Sequence, residues 1–483
     1  MTYENFYFDS YDFDRASGQL TLAYHYDSLW SFTETIDFGH TYDQNFVQQN
    51  AASFDAIFRL IFLLCGVSYA KAFVPKNLIC TPFAIDRATA DFVEKIYHKG
   101  LAEFAYRNQL NLAGKLKFLL QPEAQPQEQP QEHPKDKTQQ APSAPVLPLN
   151  HAHLVPVGGG KDSALSIEIL KNAGLDVTLF ALSSPAGLAD PIAGCIKIAD
   201  RPVHRVTRSI SKNLMQLNKQ SELRAYNGHV PITAILSAIA VATAMLHQMD
   251  TVVMSNESSA NSPTLTVNSW EINHQYSKSL EFERDLAHYI HTHIAQNFHY
   301  FSLLRPLSEV AIAARFAALT PYHAVFRSCN AAFKQSKTER APTWCCDCPK
   351  CRFVFLALAP FLTPQKIEAI FGRNMLDDAG QYHGFAELCG LAGHKPFECV
   401  GEEAESTALI TRLASQPDWQ KNYVVERLSA LINLQQKAQQ KQAQNSTKNF
   451  DDLFALSPDH LLPPAYFSLI EDLDSKHING EHP

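Results

Sequence analysis

Phe6, Phe8, Tyr11 and Phe13, then Leu20, Leu22, Tyr24 and Tyr26, then Phe32, Ile36 and Phe38 alternate with polar positions, and Ser17-Gly18 separates the first two runs. Successive side chains of a strand point to opposite faces, so a period of two punctuated by turn residues predicts an antiparallel β-meander. The pattern then changes to helical spacing at Phe54, Ile57, Phe58, Ile61 and Phe62, and Thr89 to Asn108 reads as a further amphipathic helix. Residues 1–120 are therefore expected to form a separate N-terminal α+β domain.

From Gln121 to Leu149 the chain holds seven prolines and seven glutamines. Such a run has little to bury and suits neither helix nor central strand, so 121–149 reads as a linker. His151 to Val157 is compatible with a buried strand, followed by Gly158-Gly159-Gly160-Lys161-Asp162-Ser163, a helical run from Ala164 to Ala173, a stop at Gly174, and a second strand from Val177 to Leu182. Strand, glycine turn, helix and strand make a βαβ unit. The apolar helix Ile232 to Leu246 feeds a β-branched strand, Thr251 to Met254, that ends at Ser255-Asn256-Glu257. The continued alternation predicts an α/β fold with a doubly wound, mainly parallel sheet. Residues 150–400 are expected to be the catalytic domain and 401–483 a helical C-terminal region.

Composition narrows the partners. The 483 residues are 46% hydrophobic and 19% charged, which is globular usage, and the net charge of -8 lacks the basic excess of a phosphate-backbone binder. No nucleic-acid partner is expected. Met1-Thr2-Tyr3-Glu4-Asn5-Phe6 has neither a basic nor an apolar leader segment, so a cytoplasmic protein is expected. Val230 to Met245 is too short to span a bilayer and carries Pro231 near its start, so it reads as a buried helix and no membrane association is expected. Ten cysteines in a reducing compartment point to thiols or metal ligands rather than disulfides.

A glycine turn between strand and helix lets backbone amides and the helix dipole meet an anion, so Gly158 to Ser163 is a candidate nucleotide site. The spacing fits neither the Walker loop nor the dinucleotide fingerprint. It resembles the PP-loop of N-type ATP pyrophosphatases, usually written Ser-Gly-Gly-x-Asp-Ser, with Gly158 where that pattern has Ser. The resemblance implies that Gly158, Gly159, Gly160, Lys161, Asp162 and Ser163 bind ATP, the loop cradling its β,γ-pyrophosphate while a substrate oxygen attacks the α-phosphorus. Asn227-Gly228-His229-Val230-Pro231, before the long apolar helix, is a candidate second backbone element or a plain turn.

Cys345-Cys346-Asp347-Cys348-Pro349-Lys350-Cys351 contains a C-x2-C-x2-C string, with Cys329 upstream. Three thiolates on a knuckle and one from an earlier segment suit a closed, structural zinc site of Cys329, Cys345, Cys348 and Cys351, with Cys345 taken over Cys346 on spacing. A similar arrangement occurs in PP-loop enzymes of 7-deazaguanine synthesis. Cys65, Cys80, Cys195, Cys389 and Cys399 read as core or surface thiols, and His288, His291 and His293 as parts of an ordinary amphipathic helix.

Further segments narrow the resemblance: Cys65 to Lys71 (CGVSYAK), Gly100 to Asn108 (GLAEFAYRN), Ser255-Asn256-Glu257 followed by Asn273 to Lys278 (NHQYSK), Ser302 to Glu309, and Trp344 to Arg352. In this order around GGGKDS, from about Tyr11 to Leu358, they are similar to the MurL family of UDP-N-acetylmuramoyl-L-alanyl-L-glutamate epimerases. That resemblance implies a PP-loop ATP pyrophosphatase fold with a zinc knuckle, Mg2+ on the ATP, a UDP-linked muramoyl dipeptide as substrate, and conversion of its terminal L-Glu to D-Glu for peptidoglycan synthesis with release of AMP and diphosphate. A free carboxylate leaves the adjacent C–H a very weak acid, whereas an acyl-adenylate carbonyl can accept the carbanion's electrons. Glu257, His274, Tyr276 and Lys278, in charged loop segments after a parallel strand, are the candidate catalytic groups, with Lys278 first choice for a cation at the activated carboxyl. The other reading of Asn273 to Lys278 is a helix start. Alternative functions are a PP-loop enzyme that adenylates a nucleoside or tRNA, and a non-catalytic adenine-nucleotide-binding module.

Overall fold

In the computed structural model, which describes residues 3–27, 30–120, 144–217, 219–334, 337–440 and 449–478, the N-terminal alternation becomes three strands, β1 (Asn5–Asp14), β2 (Gln19–Tyr26) and β3 (Trp30–Asp37). They pair antiparallel, with Leu22 opposite Glu34 and Tyr11 opposite Leu22. β4 (Asn77–Cys80) joins β1 in parallel, and β5 (Lys117–Phe118) joins β4. One face of this sheet buries Phe6, Phe8, Leu20, Leu22, Tyr24, Tyr26, Phe32 and Ile36, which is why the sequence period is two.

The helix Ala51–Cys65 covers β1 and packs against the apolar helix Ile232–Leu246. Its buried flank is tied down by tyrosines: Tyr24 and Tyr97 donate to the carbonyls of Phe62 and Leu63 at 2.9 and 2.6 Å. The helical stretch Ala51–Ala70 is long and apolar enough to cross a membrane, yet 72% of its most apolar window is buried in protein, which makes it a core element. The expected helix from Thr89 to Asn108 is two helices, Arg87–Gly100 and Ala102–Arg107, parted at Leu101.

By contact the chain divides into two compact units. The first takes 1–150, 209–250 and 285–299, so the unit built on the N-terminal strands extends well past residue 120. The second takes 151–208, 251–284 and 300–483. Most of the expected linker, residues 121–143, lies outside the described residues. Its end does not: Ala144 and Leu147 are buried, and Leu147 exchanges hydrogen bonds with the Asn297 side chain at 2.9 and 2.8 Å.

The second unit is built on β6 (Asn150–Pro156), β7 (Val177–Ser183), β8 (Val203–Ser209), β9 (Met249–Met254) and β12 (His299–Ser302), in the order β12-β9-β6-β7-β8. β6–β7 and β7–β8 are parallel, with Val155 opposite Leu179 and Leu182 opposite Val206. A short hairpin, β10 (Leu265–Val267) and β11 (Trp270–Ile272), stands apart in the loop after β9. The chain is thus mixed α/β with a parallel core. Its C-terminal helix Pro464–Ile478 packs onto this core, where the Tyr466 hydroxyl lies 2.6 Å from His153 Nε2 and its ring meets Phe301.

Candidate active site

β6 runs through Val157 into Gly158-Gly159-Gly160, and the helix Lys161–Asn172 starts at once. Gly159 has φ +75, and a Cβ there would stand 2.9 Å from the Ile192 amide nitrogen, so only glycine fits. A Cβ on Gly158 would meet nothing within 4 Å. The Ser163 hydroxyl accepts from the Gly158 N–H at 3.3 Å and donates to the Gly160 carbonyl at 3.4 Å. The outer strap of the loop is the segment before Cys329, where the Arg327 N–H donates to the Gly159 carbonyl at 2.8 Å.

Lys161 turns its side chain into the protein toward two carboxylates. It is buried, and its ammonium bonds the carboxylates of both Asp162 and Glu309. Burial disfavours that ammonium, but the charges of Asp162 and Glu309 outweigh it and hold the pKa above the ordinary lysine value. Glu309 is pushed up to about 8 by burial and by the neighbouring carboxylates Asp162, Glu257 and Glu405, against the pull of Lys161.

Two loops reach the same neighbourhood. Glu257 follows β9 and is buried; Tyr276 to Lys278 form a 3-10 turn before the helix Leu280–Tyr289. Arg305, with no exposed surface, fastens both: its guanidinium donates to the carbonyls of Glu257 and Lys278, each at 2.6 Å, and pairs with Glu283 at 2.7 Å. Lys278 is held above the ordinary lysine value because, although burial opposes its charge, Cys399, Glu257 and Asp162 favour it. Glu257, Lys278 and the loop carboxylate Asp162 therefore share one electrostatic site. His274 joins it through Cys399, whereas Tyr276 is buried in the same turn.

Cys399 was not among the expected site residues. Its sulfur lies 3.4 Å from Lys278 Nζ and also hydrogen-bonds His274. Burial would push this thiol up, but the Lys278 ammonium, the His274 hydrogen bond and the charge of Lys350 outweigh it and bring it down to about 6. The adjacent Glu398 accepts from Asn330 at 2.8 Å and pairs with Lys350 at 3.5 Å, so the loop carrying Cys399 is anchored beside the cysteine knuckle.

In that knuckle the sulfurs of Cys329, Cys345, Cys348 and Cys351 all lie within 4.8 Å of one another, with separations of 3.5, 3.6 and 3.9 Å along three edges. Thiolates about 2.3 Å from a tetrahedral zinc stand about 3.8 Å apart, so these four cysteines can hold such a metal ion. Cys346 turns away, is buried, and donates to the Phe371 carbonyl at 3.2 Å. Cys348 caps the helix Pro349–Leu358, whose first residue is proline.

Three of the other segments singled out in the sequence meet within the first unit. Buried Lys71 donates to Asn227 Oδ1 at 2.9 Å and to the Gly228 carbonyl at 3.2 Å above the Phe104 ring, and burial brings its pKa down to about 8. His288, His291 and His293 lie on the helix Leu280–Tyr289 and its π-helical extension Ile290–Ile294, where the His293 ring stacks on Tyr289.

The MurL N-terminal domain family matches residues 1–303 and the MurL C-terminal domain family matches 325–445. A protein of Xanthomonas oryzae pv. oryzae named UDP-N-acetyl-alpha-D-muramoyl-L-alanyl-L-glutamate epimerase is 39% identical over 458 residues, covering 95% of this chain and 94% of its own. A Micromonospora protein of the same name is 40% identical over 467 residues, 95% of this chain and 96% of its own. No solved structure matches the chain. With family matches over 1–303 and 325–445 and identity near 40% across 95% of its length, the chain belongs to the MurL family.

Proposed function

We propose that this protein inverts the terminal L-glutamyl residue of UDP-N-acetylmuramoyl-L-alanyl-L-glutamate to D-glutamyl, consuming ATP and releasing AMP and diphosphate. The observation that carries this reading is identity near 40% to relatives bearing that epimerase name, across 95% of the chain. The site offers the parts the chemistry needs. Amides of Gly158, Gly159 and Gly160 and the Ser163 hydroxyl receive the β,γ-phosphates at a helix N-terminus. The partly exposed carboxylate of Asp162 would hold Mg2+ bound with the triphosphate, and that ion would offset the phosphate charge. The substrate carboxylate attacks the α-phosphorus, diphosphate leaves, and the acyl adenylate acidifies the α-carbon.

Lys278 then faces the negative charge that develops on the activated carbonyl, and Glu257, His274 and Tyr276 are the candidates for moving protons near that carbon. Cys329, Cys345, Cys348 and Cys351 would hold a structural Zn2+ that fixes the knuckle and, through Asn330 and Lys350, the loop of Cys399. Residues 150–400 supply this chemistry, and 401–483 complete its helical surround. The working compartment is the cytoplasm, with neither a nucleic acid nor a membrane as partner.

Incubation with ATP, Mg2+ and the L-Ala-L-Glu muramoyl nucleotide, followed by chiral analysis of the glutamate and assay of AMP, tests the proposal. D-Glu formed in step with AMP is the expected result, and diphosphate release without inversion refutes it. Asp162→Ala and Ser163→Ala are each expected to abolish diphosphate release while the fold persists; near-normal turnover in either removes the glycine turn from the ATP site.

A further inference from the structure

We propose that Cys399 is a proton-transfer residue of the epimerisation, its sulfur held beside Lys278 and His274 to remove the glutamyl α-hydrogen. The inference rests on the epimerase reading above and adds a group to it. Three observations converge on this sulfur. It is 3.4 Å from Lys278 Nζ, the cation whose main chain is gripped by Arg305. It hydrogen-bonds His274, a route by which a proton can pass onward. Its backbone neighbour Glu398 is fixed by Asn330 and Lys350, so the loop is anchored rather than free to swing away. The groups that face it are Lys278, His274 and Lys350, while Glu257 and Asp162 act on it through Lys278. Together they favour a thiolate at neutral pH, and a thiolate is a base that needs little hydration.

The step balances without any further reagent. The sulfur lone pair takes the α-proton as the C–H bond breaks, and the bonding electrons move onto the acyl-adenylate carbonyl, facing the Lys278 ammonium. A protonated group on the opposite face then delivers a solvent-derived proton to the carbon, and the carbonyl re-forms with the D configuration. Water cleaves the acyl-phosphate bond and AMP leaves, while the thiol returns its proton to solvent by way of His274. Lys278 thereby serves both ends of the transfer, stabilising the base before and the enolate after.

The test compares wild type with Cys399→Ser and Cys399→Ala in D2O, following diphosphate release, α-deuteration and D-Glu formation separately. Both variants are expected to keep ATP-dependent diphosphate release yet lose inversion and α-exchange by about 10²- to 10⁴-fold, the usual contribution of a positioned base. Wild-type inversion should fall as the pH drops below about 6, where the thiol protonates. Iodoacetamide should abolish inversion by alkylating Cys399, and mass spectrometry should find that sulfur alkylated more slowly in Lys278→Met. A wild type that fails to invert the dipeptide overturns the epimerase reading itself. Inversion by Cys399→Ser within about threefold of wild type overturns only this inference. Should that variant misfold, full inversion by wild type alkylated at Cys399 overturns it equally.

Discussion

Two adjacent glycines in the turn after β6 do different work. Gly159 has a backbone conformation and a neighbour distance, 2.9 Å to the Ile192 nitrogen, that no side chain tolerates. Gly159→Ala is therefore expected to lower stability by at least about 1 kcal/mol and to disable diphosphate release, measured by urea unfolding and a coupled assay. Gly158 departs from the Ser of the common loop pattern, yet a Cβ there enters open space. Gly158→Ser should keep the Tm and leave diphosphate release intact; a collapse of either would mean the space is filled during turnover. Arg305 is another residue with a structural price on its removal. Arg305→Ala leaves Glu283 buried without its cation, so a loss of about 3–5 kcal/mol is expected in urea unfolding. Arg305→Lys should recover only part of it, because a single ammonium cannot reproduce the fork that holds two carbonyls and a carboxylate.

Among the elements, the cysteine knuckle is coupled to the glycine turn through a few residues of chain. Arg327, whose N–H reaches the Gly159 carbonyl, is two positions before Cys329. Removal of zinc by a chelator is therefore expected to weaken ATP binding as well as lower the Tm, and Cys348→Ser or Cys351→Ser should do the same, read by calorimetry and nucleotide titration. A metal-free chain of unchanged Tm would refute the zinc assignment. The knuckle, the glycine turn and the N-terminal meander were legible in the sequence because each is written in neighbouring residues: a cysteine spacing, a strand-glycine-helix order, a period of two. Cys399 was not legible, since 121 positions separate it from Lys278 and only the fold brings them together. Arg305 shares that reason, lying 48 positions from Glu257. The break at Leu101 also escaped the pattern, because the apolar spacing continues on both sides of it.

At the scale of the whole molecule, the N-terminal strands are completed by residues far along the chain. Ala51–Cys65 packs on Ile232–Leu246, and Ser53 donates to the Ile294 carbonyl at 2.7 Å. A fragment of residues 1–120 would expose that helix face to water, so it is expected to be insoluble or to lack a cooperative unfolding transition. Deleting Gln125 to Gln140 removes only part of a Pro/Gln-rich run and should alter neither stability nor turnover appreciably. Because 1–150 interleaves with 209–250 and 285–299 in one unit, pieces of the chain on either side of that run share a core. A chain severed between Gln125 and Gln140, or encoded as two separate polypeptides, should assemble into an active heterodimer, because each piece contributes an indispensable share of the same core. The protein is in this sense a natural candidate for split-enzyme complementation, with activity restored only when both halves are present.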